Sequence, residues 1–270
     1  MGNWPIETVA PTTQDATYIE VWPPYESYAD LQTLILEARR LAPAKQVILA
    51  AYLSPLLGAL DDALPPAQAA TLLTSAAIWA NGGFHLLLGE RNGALCDPYY
   101  PKYATLLPDF ARLMRSYYDF VVRYENALAD RRLITITAQE APHTVRVTGA
   151  PASPRGEAGH VWTIARSMPG LRTLSLINLT GAADARWNMP KPAPPAVHDL
   201  RIELRVDGPV QSVFAASPDD ATTAPHPLPY DLIQREGQAW VRMRLPHLAY
   251  WSLLVVQVGG PTCGAQGGRN

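Results

Sequence analysis

Thr17-Tyr18-Ile19-Glu20-Val21-Trp22 is a run of β-branched and aromatic residues that Pro23-Pro24 brings to a stop. Such residues favour a pleated surface and proline cannot donate to a ladder, so the run is predicted to be a β-strand ending near Trp22. The period then changes. From Tyr28 to Leu41 the apolar residues Leu31, Leu34, Ile35, Ala38 and Leu41 recur three and four apart, with Ser27 as N-cap and Pro43 just past the end, which predicts a helix. Val47-Ile48-Leu49-Ala50-Ala51-Tyr52 is almost wholly apolar, as a strand covered on both faces is. A second helix is predicted over Pro66–Ala80 and is broken by Asn81-Gly82-Gly83. Phe84-His85-Leu86-Leu87-Leu88 then reads as a third strand, stopped by Gly89-Glu90. This β-α-β-α-β order implies a parallel sheet. A loop over 89–107 leads to a long helix, Pro108 to Ala129, with the stripe Phe110, Leu113, Met114, Tyr117, Val121, Tyr124 and Leu128.

Beyond Arg132 helical periodicity stops. Eight short strands are predicted near 133–138, 143–148, 161–166, 172–179, 200–206, 210–215, 239–244 and 250–258, with turn residues between them, the pattern of an antiparallel sandwich. The Pro-rich segment Met189–Val197 reads as a loop. Three parallel strands cannot close a barrel, which takes eight, yet crossovers of about 25–30 residues match the repeat of a (β/α)8 barrel. The expected fold class is therefore α/β plus all-β, a partial (β/α)8 TIM barrel followed by an antiparallel β-sandwich. Residues 1–130 would form the C-terminal part of the barrel, 131–258 the sandwich and 259–270 a flexible tail.

Composition narrows the function. The 270 residues are 48% hydrophobic and 17% charged with a net charge of −2, which excludes a disordered chain and gives no electrostatic footprint for nucleic acid or an anionic membrane. No apolar run reaches the roughly 18 residues of a membrane span. Cys96 and Cys263 are too few and too far apart for a disulfide framework or a metal site. The N-terminal Met-Gly-Asn-Trp-Pro has neither the basic nor the apolar segment of a signal peptide, and Ile6 stands where myristoylation wants Ser or Thr.

Alternation places Tyr18, Glu20 and Trp22 on one face at the C-terminal end of the first strand, where barrel enzymes keep their active sites. A carboxyl ringed by aromatics resists ionisation, which suits a general acid, and the rings offer stacking surfaces for sugars. The plainer alternative is a strand-end Glu paired with an Arg. The loop from Gly89 to Tyr103 brings Glu90, Asp97, Tyr99 and Tyr100 to the same end, resembling a sugar subsite, or else packs its tyrosines on the next helix. His85 is either a satisfied core histidine or a side chain in the mouth of the sheet. No phosphate loop, nucleophile elbow or zinc motif is present, and the other histidines lack ligand spacing, so no metal and no cofactor is expected.

Together these segments resemble glycoside hydrolase family 66, the dextranases and cycloisomaltooligosaccharide glucanotransferases. Asn3-Trp4-Pro5-Ile6-Glu7 is similar to the end of the fifth barrel strand, Tyr18–Trp22 to the sixth, Leu49-Ala50-Ala51-Tyr52 to the seventh, and Ala80–His85 through Leu88-Gly89-Glu90 to the eighth. Tyr117–Phe120 and Tyr124-Glu125-Asn126 resemble the helix after the barrel. Val161–Ile164, Ser175–Leu179 and Trp187 resemble the β-domain. The resemblance implies a retaining, endo-acting enzyme on α-1,6-glucan or isomaltooligosaccharides, with Glu20 as general acid/base. It adds Trp4 and Tyr52 to Tyr18, Trp22, His85, Glu90, Asp97, Tyr99 and Tyr100 as candidate sugar contacts.

One departure stands out. The family's nucleophilic Asp sits on the fourth strand, some seventy residues before the acid/base, whereas only nineteen residues precede Glu20 here, and Asp15 lies in the loop before the strand. The expectation is a truncated chain, with strands one to four, the nucleophile and any signal peptide of an extracellular enzyme lying upstream. A non-catalytic α-glucan-binding protein and a degenerate inactive fragment remain alternatives, as does a cyclising transglycosylase. The absence of a carbohydrate-binding insert within 104–160 leans towards a dextranase.

Overall fold

The structure is a computed structural model and describes residues 6–99 and 102–259. The expected tail and the residues Trp4 and Tyr100 therefore lie outside the described residues. After a short helix α1 (Ile6–Val9), the strands β1 (Ala16–Glu20), β2 (Gln46–Ala50) and β3 (Phe84–His85) form a parallel sheet in the order β1-β2-β3. The crossovers are α2 (Tyr28–Leu41) and α3 (Leu64–Ala80). The sheet is open, and no barrel closes among the described residues.

Helix α2 occupies the predicted span because its first turn is specified chemically. Asp30 N donates to Ser27 Oγ at 3.2 Å while Asp30 Oδ2 accepts from Ser27 N at 2.8 Å, a reciprocal capping box. Helix α3 begins at Leu64 rather than Pro66, since prolines in a first turn lose no hydrogen bond. It is buried nearly all round, so it lacks a polar face.

Two expectations about the next segment change. The third strand ends at His85 because the chain then turns to another partner: Leu95 N donates to Leu87 O at 2.8 Å and Leu88 bridges Ala94. The segment read as a loop over 89–107 thus contains an antiparallel ladder of β4 (Gly93–Leu95) and β5 (Tyr103–Thr105). The long helix is interrupted at Tyr124, giving α4 (Pro108–Arg123) and α5 (Glu125–Leu128). The Tyr124 hydroxyl donates to Thr223 O at 2.8 Å and its ring lies 6.4 Å from that of Phe214, so the break coincides with an anchor on the β region.

The remaining strands are β6 (Ile134–Thr135), β7 (Val145–Thr148), β8 (Ala152–Ser153), β9 (Val161–Met168), β10 (Leu171–Asn178), β11 (Val197–Val206), β12 (Val210–Ala216), β13 (His226–Pro227), β14 (Tyr230–Arg235), β15 (Gln238–Leu248) and β16 (Trp251–Val258). They form a seven-stranded sheet, β13-β12-β16-β10-β9-β6 with β8 alongside β9, and a four-stranded sheet, β14-β15-β11-β7. Leu174, Leu176, Leu254 and Val256 of the first share a core with Leu200, Ile202, Leu204 and Val241 of the second, as an antiparallel sandwich requires. Strand β14 was not foreseen: it is an edge strand, mostly exposed, so it carries little alternation.

The other face of the seven-stranded sheet packs on the helices. Trp162, Ile177, Trp251 and Leu253 belong to one core with Leu31, Ile35, Ile78, Trp79 and Phe120. Trp251 stacks on Trp79 with ring centroids 6.2 Å apart and meets Phe120 edge-on at 4.9 Å. Asp219 staples the layers, accepting from Tyr117 Oη of α4 and from the backbone N–H groups of Tyr250 and Trp251 at 2.9 and 2.8 Å. Burial of the seven-stranded sheet on both faces explains the unbroken apolar runs of β9, β10 and β16, six of whose consecutive residues are buried in each.

Candidate functional site

Glu20 closes β1, and burial alternates along the strand: Thr17, Ile19 and Val21 face inward while Tyr18, Glu20 and Trp22 share the other, half-buried face. Both carboxylate oxygens are held. Tyr18 Oη donates to Oε1 at 3.2 Å and Trp22 Nε1 donates to Oε2 at 3.2 Å. Tyr52, two residues beyond β2, brings its hydroxyl to 3.4 Å from that of Tyr18 and its ring to 6.1 Å from Trp22. Burial, and the neighbouring Glu20 charge, raise the Tyr18 phenol above its ordinary range; burial raises the Tyr52 phenol further. Both phenols are thus fixed as proton-bearing donors. The two donors fix the orientation of the carboxyl at the C-terminal end of a parallel strand.

A cavity of about 320 Å³ opens on the far side of Trp22. Trp22, Tyr25 and Tyr52 line it together with Ser54, Cys96 and Asp97 from the following connections. A further wall comes from the sandwich: Arg186, Trp187, Asn188 and Met189 lie on the connection after β10. That connection is tied down along its length. Trp187 N and Nε1 donate to Glu26 O at 2.9 Å and Tyr25 O at 2.8 Å, Thr74 Oγ1 donates to Trp187 O at 3.0 Å, and Tyr28 N donates to Ala185 O at 2.9 Å. Lys191, 1% exposed at its side chain, reaches Asp184 at 3.2 Å, and burial lowers its pKa.

The other candidates separate. Asp97 lines the cavity, accepts from Tyr99 N at 2.8 Å and has Lys102 3.7 Å away. Tyr99 is 70% exposed outside the cavity, with the Lys102 ammonium 5.9 Å over its ring. Glu90 is exposed in a tight turn in which Arg91 and Asn92 adopt φ of 53° and 59°. His85, by contrast, is 3% exposed and does not reach the cavity: its Nδ1 is 2.9 Å from Ser75 Oγ and its Nε2 3.0 Å from Ala51 O. Burial depresses its pKa to about 4, so the ring is neutral, donating from Nε2 and accepting the Ser75 hydroxyl at Nδ1. The core alternative for this histidine fits that placement.

Cys96 is a buried free thiol whose pKa burial raises. Among the described residues no group of His, Cys, Asp and Glu is arranged to hold a metal ion, and no helix is long and apolar enough to cross a membrane. The wall residues Arg186 and Asn188 escaped sequence reasoning, since they lie some 160 residues from Glu20 on a connection without periodicity; only Trp187 carried a signal, through the family resemblance.

The family model described as Glycosyl hydrolase family 66 matches residues 1–255. Two cycloisomaltooligosaccharide glucanotransferases of Niallia circulans are each 29% identical over 188 residues, 68% of this chain and 19% of theirs. A dextranase of Streptococcus salivarius is 28% identical over 93% of this chain and 36% of its own length. The crystal structure of a Paenibacillus sp. cycloisomaltooligosaccharide glucanotransferase complexed with cycloisomaltoheptaose superposes with a TM-score of 0.83 at 17% identity, covering 93% of this chain and 53% of that one, a likeness of fold. The chain spans 19% to 36% of the length of these curated relatives.

Proposed function

The chain belongs to glycosyl hydrolase family 66, and from that membership we propose that it supplies the acid/base side of the active site of a retaining, endo-acting enzyme that cleaves α-1,6-glucan outside the cell. The observation that carries the reading is Glu20, held through both oxygens by Tyr18 and Trp22 beside an aromatic-lined cavity. In this reading Glu20 protonates the departing glycosidic oxygen and then, as a carboxylate, takes the proton from the water that releases the product.

A retaining enzyme needs a second carboxylate about 5–5.5 Å away. Asp15 is no candidate, because it precedes β1, at the end opposite Glu20, about 16 Å along a five-residue strand. The reading assigns the nucleophile to a residue outside this sequence. It takes β1, β2 and β3 as the last strands of a (β/α)8 barrel, with 1–130 as the barrel portion and 131–258 as the sandwich. Cyclising transfer uses the same pair of carboxylates. The dextranase and the solved glucanotransferase each cover 93% of this chain, so hydrolysis is the reading taken and cyclising transfer its alternative.

The test has two parts. The 270-residue protein is expected to bind isomaltotriose and to release no reducing sugar from dextran. Joined to the preceding barrel strands of the Streptococcus salivarius dextranase, residues 6–259 are expected to support cleavage that Glu20→Gln lowers by about 10²–10⁴-fold. Dextran cleavage by the chain alone would show the nucleophile to be within it, and an active chimera indifferent to Glu20→Gln would remove Glu20 from the mechanism.

A further inference from the structure

We propose that the connection Asp184–Met189 of the sandwich and the Trp22 indole together form a saccharide subsite adjoining Glu20, in which Asn188 and Arg186 read sugar hydroxyls. The proposal rests on the glucan reading of Glu20 and deepens it.

The Trp22 ring joins the two places. Its Nε1 edge bonds Glu20 Oε2, and the same residue forms a wall of the cavity. A ligand stacked there is therefore one indole away from the carboxylate. The cavity, at about 320 Å³, lies at the small end of ligand sites, enough for one or two rings of a longer chain.

Its chemistry selects a neutral, polyhydroxyl ligand. Tyr25, 40% exposed, adds a second aromatic surface. The lining carries the carboxylates of Asp97 and Glu26 and the guanidinium of Arg186, itself 3.4 Å from Asp184, a small acidic excess that disfavours an anionic ligand while offering acceptors and donors to hydroxyls. Asn188 is oriented for the role. Ser54 donates both its N–H and its hydroxyl to Asn188 Oδ1, at 3.0 and 2.9 Å. Two donors on that oxygen fix which end of the amide is which, and Nδ2 has no acceptor among the described residues.

The clasp also makes a variant available. Asn188→Asp keeps an oxygen for Ser54 and turns the amide donor into a charged acceptor, while Arg186→Ala truncates a side chain that is 54% exposed. Isomaltotriose is titrated by calorimetry into the 270-residue protein and into these variants, with Trp22→Ala as a third. Each of the two loop variants is expected to melt within about 2 °C of the parent and to bind isomaltotriose about 10-fold more weakly. If the parent binds and Trp22→Ala weakens it, yet both loop variants bind within twofold, the sandwich does not contribute to the subsite and the glucan reading stands. If the parent binds no isomaltotriose, the subsite falls, and the glucan reading is then decided by the activity of the chimera.

Discussion

Two donors on one carboxylate make a directly measurable pair. The Trp22 Nε1–H and Tyr18 Oη–H each point at a different oxygen of Glu20, so Glu20→Gln, which leaves one oxygen, is expected to shift the Trp22 indole N–H resonance in an ¹H–¹⁵N spectrum. An unmoved resonance would show that the bond does not form in solution. His85 sets a pH dependence. Its pKa is about 6.5 unfolded and about 4 folded, so between these values the unfolded chain binds more protons. Its contribution is complete above pH 6.5 and fades as the pH falls towards 4, by about 3 kcal/mol in all. Urea unfolding at pH 4.5 and pH 7 should show this loss, and His85→Gln should flatten it. A residue's own face was legible where alternation runs through neighbours, as at Tyr18, Glu20 and Trp22. Whether His85 points into the core or the mouth was not, because an apolar strand reads the same either way.

Elements whose ends are written in local chemistry were legible to the residue. Helix α2 is the example, since Ser27 and Asp30 are three apart and satisfy each other's backbone. Ser27→Ala is expected to cost about 1 kcal/mol in chemical denaturation, and a loss near zero would mean the box adds nothing to what packing supplies. Ends set by distant partners were not legible. Strand β3 stops because Leu87 finds Leu95, and α4 stops where Tyr124 reaches Thr223, some hundred residues on. Strand β14 was lost for the opposite reason, being too exposed to show a pattern.

At the scale of the whole molecule, the compositional change near residue 130 does not coincide with an edge of the core. Trp162, Ile177 and Trp251 come from one side of it and Leu31, Trp79 and Phe120 from the other, yet they pack as one cluster. Residues 131–259 expressed alone are therefore expected to expose the face around Trp251 and bind a hydrophobic dye, whereas the entire chain gives one cooperative melt. Two separated melting transitions in the entire chain would count against this. Layer order was the part of the fold hidden from the sequence: the unbroken apolar runs of β9, β10 and β16 declare burial on both faces without naming the second partner.

A middle layer also limits how such a molecule can change over generations. Both faces of the seven-stranded sheet are taken, so insertions and new attachments can be accepted only at strand rims and turn tips, such as the exposed Glu236-Gly237 turn between β14 and β15. A gene exchange that cut near residue 130 would part Trp251 from Trp79 and Asn188 from Ser54 in the same stroke. The two halves are thus bound to be inherited as a pair, and variation is left to the rims.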